Sequence, residues 1–255
     1  MFGFFKAFIV YSRMQVNTSN QFYNDINHIL KLKQDALVVI LSPHIDDAAW
    51  SLGPVLESLK SHGHHLQLIN LFSTTLIMGD GMKGPARDTA LRKAEETLAT
   101  QEVGFDEVIY LDFPDGILRD RQLDNIFDPT YDMPAWLADL VLDTLKTYIP
   151  ADAVVLAPSG FGWHIDHRLT AHVASKLTQR VIFYEDMPYA ARDIRVQEAR
   201  EFLQQQDAHP ARIPVTPEIV EEHLRLYRLY ISQRAKHHEE QISSYLAANG
   251  YGLWS

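Results

Sequence analysis

Ala36-Leu37-Val38-Val39-Ile40-Leu41-Ser42-Pro43-His44-Ile45-Asp46-Asp47 is the stretch around which the rest of the chain is organised. Its first half is an apolar run rich in β-branched residues and stopped by a proline, which reads as a buried strand. The histidine and both carboxylates therefore fall in the loop at the strand's C-terminal end, where open α/β sheets build their sites. His44 and Asp47 stand three apart at a strand-to-helix turn, close enough to share one metal ion, and Asp46 between them is free to point elsewhere. A second cluster, Trp163-His164-Ile165-Asp166-His167-Arg168, again follows an apolar strand.

The chain has 255 residues, enough for one large domain with a substantial core. The expected organisation is an N-terminal arm and helix over 1–35 and a single domain over 36–255 with a helical C-terminal region. Apolar residues make up 46% and charged residues 22%, the composition of an ordinary soluble globular protein. The net charge of -10 argues against a nucleic-acid or anionic-membrane surface, because phosphate binding needs a basic face. Cysteine is absent, which excludes disulfides and thiolate nucleophiles and leaves histidines and carboxylates as the strong metal ligands.

The apolar start from Met1 to Tyr11 is interrupted by Lys6 and ends at Ser12-Arg13. It is shorter than the ~20 apolar residues that span a bilayer, and no small-x-small cleavage site follows it closely. A packed arm, or an extension ahead of a start at Met14, is expected, with a cytoplasmic location and no stable membrane insertion.

Strands are expected at 36–42, 66–72, 107–111, 153–157 and 181–184, alternating with helices at 17–35, 48–62, 85–101, 134–148 and 169–177. Such alternation implies a Rossmann-like α/β fold, a mostly parallel sheet with helices on both faces and right-handed crossovers. The 73–84 loop and a polar insertion over 117–133 lie at the site edge, where loops can form a lid. Beyond 191 the pattern is mostly helical, with Pro214-Val215-Thr216-Pro217 introducing one long helix to about Leu246.

The strand ends carry His44/Asp46/Asp47, Ser73/Thr74, Asp112/Asp115, His164/Asp166/His167 and Glu185/Asp186 in turn, all on one edge. Two imidazoles and one carboxylate make a mononuclear metal site with a position open to water, the arrangement of catalytic zinc. Water on such a metal has a pKa near ~7 in place of about 15.7. Asp46 is placed to take its proton while His44 and Asp47 hold the metal. Neither a Gly-x-Ser-x-Gly elbow nor a dinucleotide or Walker glycine loop is present, so serine hydrolysis, nicotinamide chemistry and nucleotide hydrolysis lack support.

Pro43-His44-Ile45-Asp46-Asp47 and His164-Ile165-Asp166-His167 resemble the Pro-His-Pro-Asp-Asp and His-Pro-Asp-His motifs of the zinc-dependent de-N-acetylases typified by N-acetylglucosaminyl-phosphatidylinositol deacetylase. The resemblance covers roughly 36–245 and extends to Arg92-x-x-Glu95 and to Tyr184-Glu185-Asp186-Met187-Pro188-Tyr189. It implies one zinc per chain held by His44, Asp47 and His167, with Asp46 as general base. His164 is similar to the family histidine that stabilises the oxyanion or assists proton transfer, and Asp166 would orient an imidazole. Arg92 and Asp115 match positions that contact the sugar. The implied reaction removes an N-acetyl group from an N-acetylglucosamine-containing small molecule or glycoconjugate. Ile45 and Ile165 replace the motif prolines and Ala48 replaces a frequent Glu, changes that touch loop geometry but remove no ligand.

Simpler readings stand beside these. Asp46-Asp47 alone would read as a helix cap, Arg92 could pair with Glu95 or Glu96 on the helix surface, and Asp115 before Gly116 could be a turn residue. Glu185 and Asp186 read as supporting or backbone-capping groups, Tyr227 and Tyr230 as core or groove residues. His62-Gly63-His64-His65 suits a helix C-terminus, and His237-His238 a solvated face. The competing functions are an amidase acting on another N-acyl compound and, in a different class, a non-catalytic sugar- or metal-binding module. The expected partners are an N-acetylated sugar or glycoconjugate, with a homo-oligomer left open.

Overall fold

The computed structural model describes residues 20–76, 83–119, 126–131, 133–193, 195–235 and 237–255. The arm at 1–13, the part of the 73–84 loop from 77 to 82 and the part of the insertion from 120 to 125 lie outside the described residues. A helix over 20–30 (α1) precedes β1 (Leu37–Ser42), α2 (Asp47–Ser61), β2 (His65–Asn70), α3 (Pro85–Val103), β3 (Glu107–Tyr110) and the short α4 (Gly116–Arg119). Next come α5 (Ala135–Tyr148), β4 (Val154–Pro158), α6 (Ile165–Ala174) and β5 (Arg180–Tyr184). The chain ends with α7 (Val196–Gln205), β6 (Pro210–Ile213), α8 (Pro217–Tyr227), α9 (His238–Asn249) and β7 (Tyr251–Trp254).

The strands form one seven-stranded sheet in the order β3-β2-β1-β4-β5-β7-β6. β1 to β5 pair in parallel, and β7 runs antiparallel to both β5 and β6. The expected Rossmann-like architecture is thus present, with an antiparallel edge added. β1 and β4 are neighbours, Val38 opposite Val154 and Ile40 opposite Leu156. From that pair the chain winds outward in opposite directions, so the crevice beyond their carboxyl ends is the topological switch point. The two histidine clusters follow these two strands. Val38 to Ser42 and Val155 to Pro158 are buried throughout, because helices cover both faces of a parallel sheet.

Three local differences from the sequence reading have physical causes. First, α6 begins at Ile165, four residues before the apolar spacing becomes visible, because His164 caps it by accepting the Asp166 N–H. Asp166 and His167 therefore stand on a helical turn, which fixes their directions. Second, the long helix expected over 214–246 is broken into α8 and α9. In the turn between them the Ser232 N–H (2.8 Å) and Oγ (2.6 Å) donate to Glu95, and Tyr230 Oη donates to Glu96. The acids of α3 thus bind the break.

Third, the C-terminal region contains two strands as well as helices. Glu185 explains how they attach: its carboxylate accepts Arg212 Nη1 (2.6 Å) and Nη2 (2.8 Å) and Tyr245 Oη (2.6 Å), while its N–H donates to Gly252 O. Glu185 and Asp186, adjacent at the end of β5, are therefore divided between the sheet edge and the site. No helix among the described residues is long and apolar enough to cross a membrane.

Candidate active site

Ser42 ends β1 and clamps the loop that follows, donating from Oγ to the His44 carbonyl (2.6 Å) and accepting the Ala48 N–H (3.1 Å). The His44 N–H donates to Asp47 Oδ2 (2.8 Å). Between them Asp46 adopts φ 121°, a conformation L residues rarely enter and one that costs roughly 1–3 kcal/mol. Arg92 of α3 holds it there, with Nη2 donating to Ile45 O (2.5 Å) and to Asp46 Oδ2 (3.0 Å). Nη1 of the same guanidinium donates to Thr75 Oγ1 (2.7 Å), which in turn donates to Asp115 Oδ2. Arg92 thus turns away from Glu95 and Glu96 and into the site. Asp115 is 3% exposed and also caps α4 through the Leu118 N–H, so its turn role and its place in the site coexist.

Asp47 Oδ2 lies 3.2 Å from His44 Nδ1 and 3.2 Å from His167 Nε2, and those two nitrogens are 3.3 Å apart. A tetrahedral zinc with bonds of ~2.0–2.1 Å spaces its ligand atoms by roughly 3.3–3.4 Å, so these three atoms fit one face of such a site and leave the opposite apex open. The far nitrogens of both rings are engaged. His44 Nε2 lies 2.9 Å from Asp166 Oδ2 and His167 Nδ1 lies 2.6 Å from Asp186 Oδ1. Carboxylates there fix the tautomer and aim an unprotonated nitrogen at the centre.

Both carboxylates are themselves held. Asp166 accepts the Gly116 N–H (2.7 Å) and Arg119. Asp186 accepts the Ser159 N–H (3.0 Å), Ser159 Oγ (2.8 Å) and the Phe161 N–H (3.0 Å).

His164 adds a third imidazole, and ligand atoms of His44, His164 and His167 all fall within 4.8 Å. That set is looser than the His44/Asp47/His167 triangle. Because His164 Nδ1 accepts the Asp166 N–H at 3.1 Å, the ring proton resides on Nε2, which makes that atom a donor and not a ligand. We therefore favour the tighter set as the one that could hold a cation.

Electrostatics separate the groups. Burial disfavours charge on His44, but hydrogen bonds with Asp166 and Asp47 raise it to about 9. At His167 burial again opposes protonation and the Asp47 charge outweighs it, raising the imidazole to about 10. Burial acts to raise Asp47, yet His167 and His44 hold it well below the usual carboxylate range. A divalent cation at the triangle must displace these protons, so its affinity falls in acid. Burial, followed by the neighbouring His44, keeps His164 neutral far below its usual pKa. Asp46 is pushed up to about 7 by burial, against the opposing charge of Arg92.

His44, Asp46, Asp47, Arg92, Asp115 and His164 line one pocket of about 530 Å³; Asp166 and His167 stand behind it with no exposure. Every residue singled out in the two clusters, with Arg92 and Asp115, therefore converges on this place. Sequence reading misses Thr75, Arg119 and Trp50, whose neighbours along the chain carry no signal of the contact. It also misreads His238, which is half-buried in the pocket wall and not on a solvated face. Tyr189 lines the pocket with its ring 5.2 Å from that of His167.

Fold and site together define the class, a deacetylase that hydrolyses an amide bond. The chain belongs to the GlcNAc-PI de-N-acetylase (PIG-L) family, whose profile matches residues 39–178. Among solved structures, a deacetylase of the teicoplanin biosynthesis pathway superposes with a TM-score of 0.65 at 18% identity, over 86% of this chain and 97% of its own. The zinc-inhibited form of teicoplanin deacetylase superposes with a TM-score of 0.61 at 18% identity, over 86% and 97% of the two chains. N,N'-diacetylchitobiose deacetylase from Pyrococcus horikoshii gives a TM-score of 0.56 at 14% identity, over 89% of this chain and 87% of its own. At such identities the likeness speaks for the fold. No curated protein matches the chain.

Proposed function

We propose that the protein is a zinc-dependent hydrolase that removes an N-acetyl group from an N-acetylglucosamine-containing small molecule or glycoconjugate, acting in the cytoplasm with residues 36–255 as one catalytic unit. The observation that carries this reading is the triangle of His44 Nδ1, Asp47 Oδ2 and His167 Nε2 with a carboxylate outside the triangle, Asp46, held by Arg92 beside it in the same pocket. A module that only binds metal has no use for a buried carboxylate poised near neutrality. The names of the structural neighbours, a teicoplanin-pathway deacetylase and a diacetylchitobiose deacetylase, support a sugar as the amine-bearing part.

In this mechanism His44, Asp47 and His167 hold the zinc, and Asp166 and Asp186 aim the two imidazoles. When bound, the metal lowers the pKa of water and polarises the amide carbonyl. Asp46 takes the proton of the attacking water, its pKa of about 7 matching the demands of a base at neutral pH. The oxyanion that forms as water adds to the carbonyl receives the Nε2–H of neutral His164. The proton held by Asp46 passes to the leaving nitrogen as the C–N bond breaks, giving acetate and a free amino sugar. Arg92 positions Asp46, and with Asp115 it borders the space for the sugar.

The test is amine release from a panel of N-acetylated sugars, antibiotic precursors and glycolipid headgroups, with and without chelator, alongside metal analysis. About one zinc per chain is expected. Metal-free protein with full activity, or a metalloprotein that releases no amine from any sugar while cleaving other N-acyl compounds, overturns it.

A further inference from the structure

We propose that the pocket mouth takes an anionic group, a phosphate or a carboxylate, carried by the substrate away from its scissile amide, and that Arg192 binds it. This deepens the deacetylase reading and rests on it for the identity of the pocket. The 3-10 turn Ala190–Arg192 packs against α9, and this contact brings Arg192, Gln233 and His238 onto one wall of the cavity. Exposed Arg234 and His237 flank that wall in the chain.

The other arginines of the site are committed to acids, Arg92 to Asp46 and Arg119 to Asp166. Arg192 is exposed at the pocket wall, and among the described residues its guanidinium has no hydrogen-bond or ion-pair partner. Glu239, the nearest acid along α9, is held by Arg228. Unneutralised positive charge thus stands at the mouth of a pocket whose inner lining includes Asp46, Asp47 and Asp115, in a protein of net charge -10.

Such an arrangement sorts ligands by charge. A neutral sugar offers a guanidinium single hydroxyl acceptors, whereas phosphate and carboxylate accept two parallel N–H bonds and the full charge. His238 adds no charge of its own, because burial, then His237 and Arg192, lower its pKa to about 4 and leave the imidazole neutral near pH 7. With Trp50, whose ring lies 6.3 Å from it, His238 forms a neutral wall beside Arg192.

The test compares three probes on the metal-loaded protein, methyl N-acetylglucosaminide, N-acetylglucosamine 1-phosphate and N-acetylmuramic acid, by calorimetry and by amine release. The wild type is expected to bind one of the two anionic probes about tenfold or more tighter than the neutral one. Which anionic arm responds distinguishes phosphate from carboxylate. Arg192→Gln should erase that preference by raising Kd and KM for the anionic probe, with kcat and all constants for the neutral probe unchanged. Arg192→Lys should recover part of it, and added salt should weaken the anionic probe selectively. Equal affinity for all three probes in the wild type, or an equal loss for all three in Arg192→Gln, overturns the proposal. So does an anionic preference that survives Arg192→Gln, the result expected if phosphate binds the metal directly. Absence of amine release from every probe would count against the deacetylase reading alone, since calorimetry with Arg192→Gln still decides the anion site.

Discussion

Arg92 holds the Asp46 carboxylate at 3.0 Å, and neither side chain is more than 7% exposed. A buried carboxylate is costly when charged, so this guanidinium is what allows Asp46 to be ionised at all near neutrality. The same group also grips Ile45 O and so holds the loop at the point where Asp46 departs from ordinary backbone geometry. One residue of α3 therefore governs both the direction and the charge of the proposed base.

Asp46→Asn keeps the volume and removes the proton acceptor. We expect kcat/KM to fall about 10²–10⁴-fold with zinc content unchanged; full activity would place the base elsewhere. Arg92→Gln should move the acid limb of the kcat/KM profile to higher pH, because the cation that lowers the Asp46 pKa is gone. A limb that stays in place would show that Arg92 does not tune Asp46.

Asp186 Oδ1 lies 2.6 Å from His167 Nδ1, and neither side chain is exposed. Loss of such an orienting carboxylate weakens metal binding by about 10–100-fold, which is the expected result for Asp186→Asn in a chelator competition. His167→Ala should lose the metal more completely, and unchanged zinc content in that variant would show the ligand set to be misassigned.

Gly162 has φ +84°, and a Cβ there would stand 2.3 Å from Tyr189 Cγ. The absent side chain is what lets the Tyr189 ring sit against His167. Gly162→Ala should cost roughly 1–3 kcal/mol of stability through backbone strain alone and raise KM by displacing the ring. Thermal unfolding and steady-state kinetics on the variant check both, and a wild-type Tm would show that the loop relaxes freely.

His223 is buried with Nδ1 3.0 Å from Tyr251 Oη, and burial lowers its pKa from 6.5 to about 4, only partly offset by the Trp50 backbone. That carbonyl is available because Pro54 cannot donate to it. Between these two pH values the unfolded chain binds the extra proton and the folded chain does not. Stability is therefore full above about pH 6.5 and declines toward pH 4, by about 3 kcal/mol for this group. Denaturant midpoints measured across that range should show a shallower decline in His223→Gln than in the wild type; identical slopes would exclude His223 as the cause.

The parallel sheet was legible because its central strands, β1 and β4 above all, are buried on both faces and so are written as apolar runs, with Ala36 to Leu41 the plainest. β6 and β7 were not, because they lie in an antiparallel edge whose partners come from distant segments. Tyr251–Trp254 is buried throughout, yet nothing in four residues tells a strand from a helix end. The break between α8 and α9 was hidden for a related reason: its cause, Glu95 and Glu96, lies on another helix.

For the site, the sequence by itself determined which chemical groups stand at the strand ends, and it joined His44 to Asp47 and His164 to His167, because spacings of three residues at a turn act locally. Tertiary structure alone decided that His44 and His167 approach to 3.3 Å, since that depends on β1 and β4 being neighbours in the sheet. It likewise decided that Arg92 reaches Asp46, that Arg119 anchors Asp166, and that His238 and Arg192 face the pocket. Contacts of that kind are set by how helices seat on a sheet and by which burial leaves the fewest charges unpaired, and no local pattern along the chain encodes either.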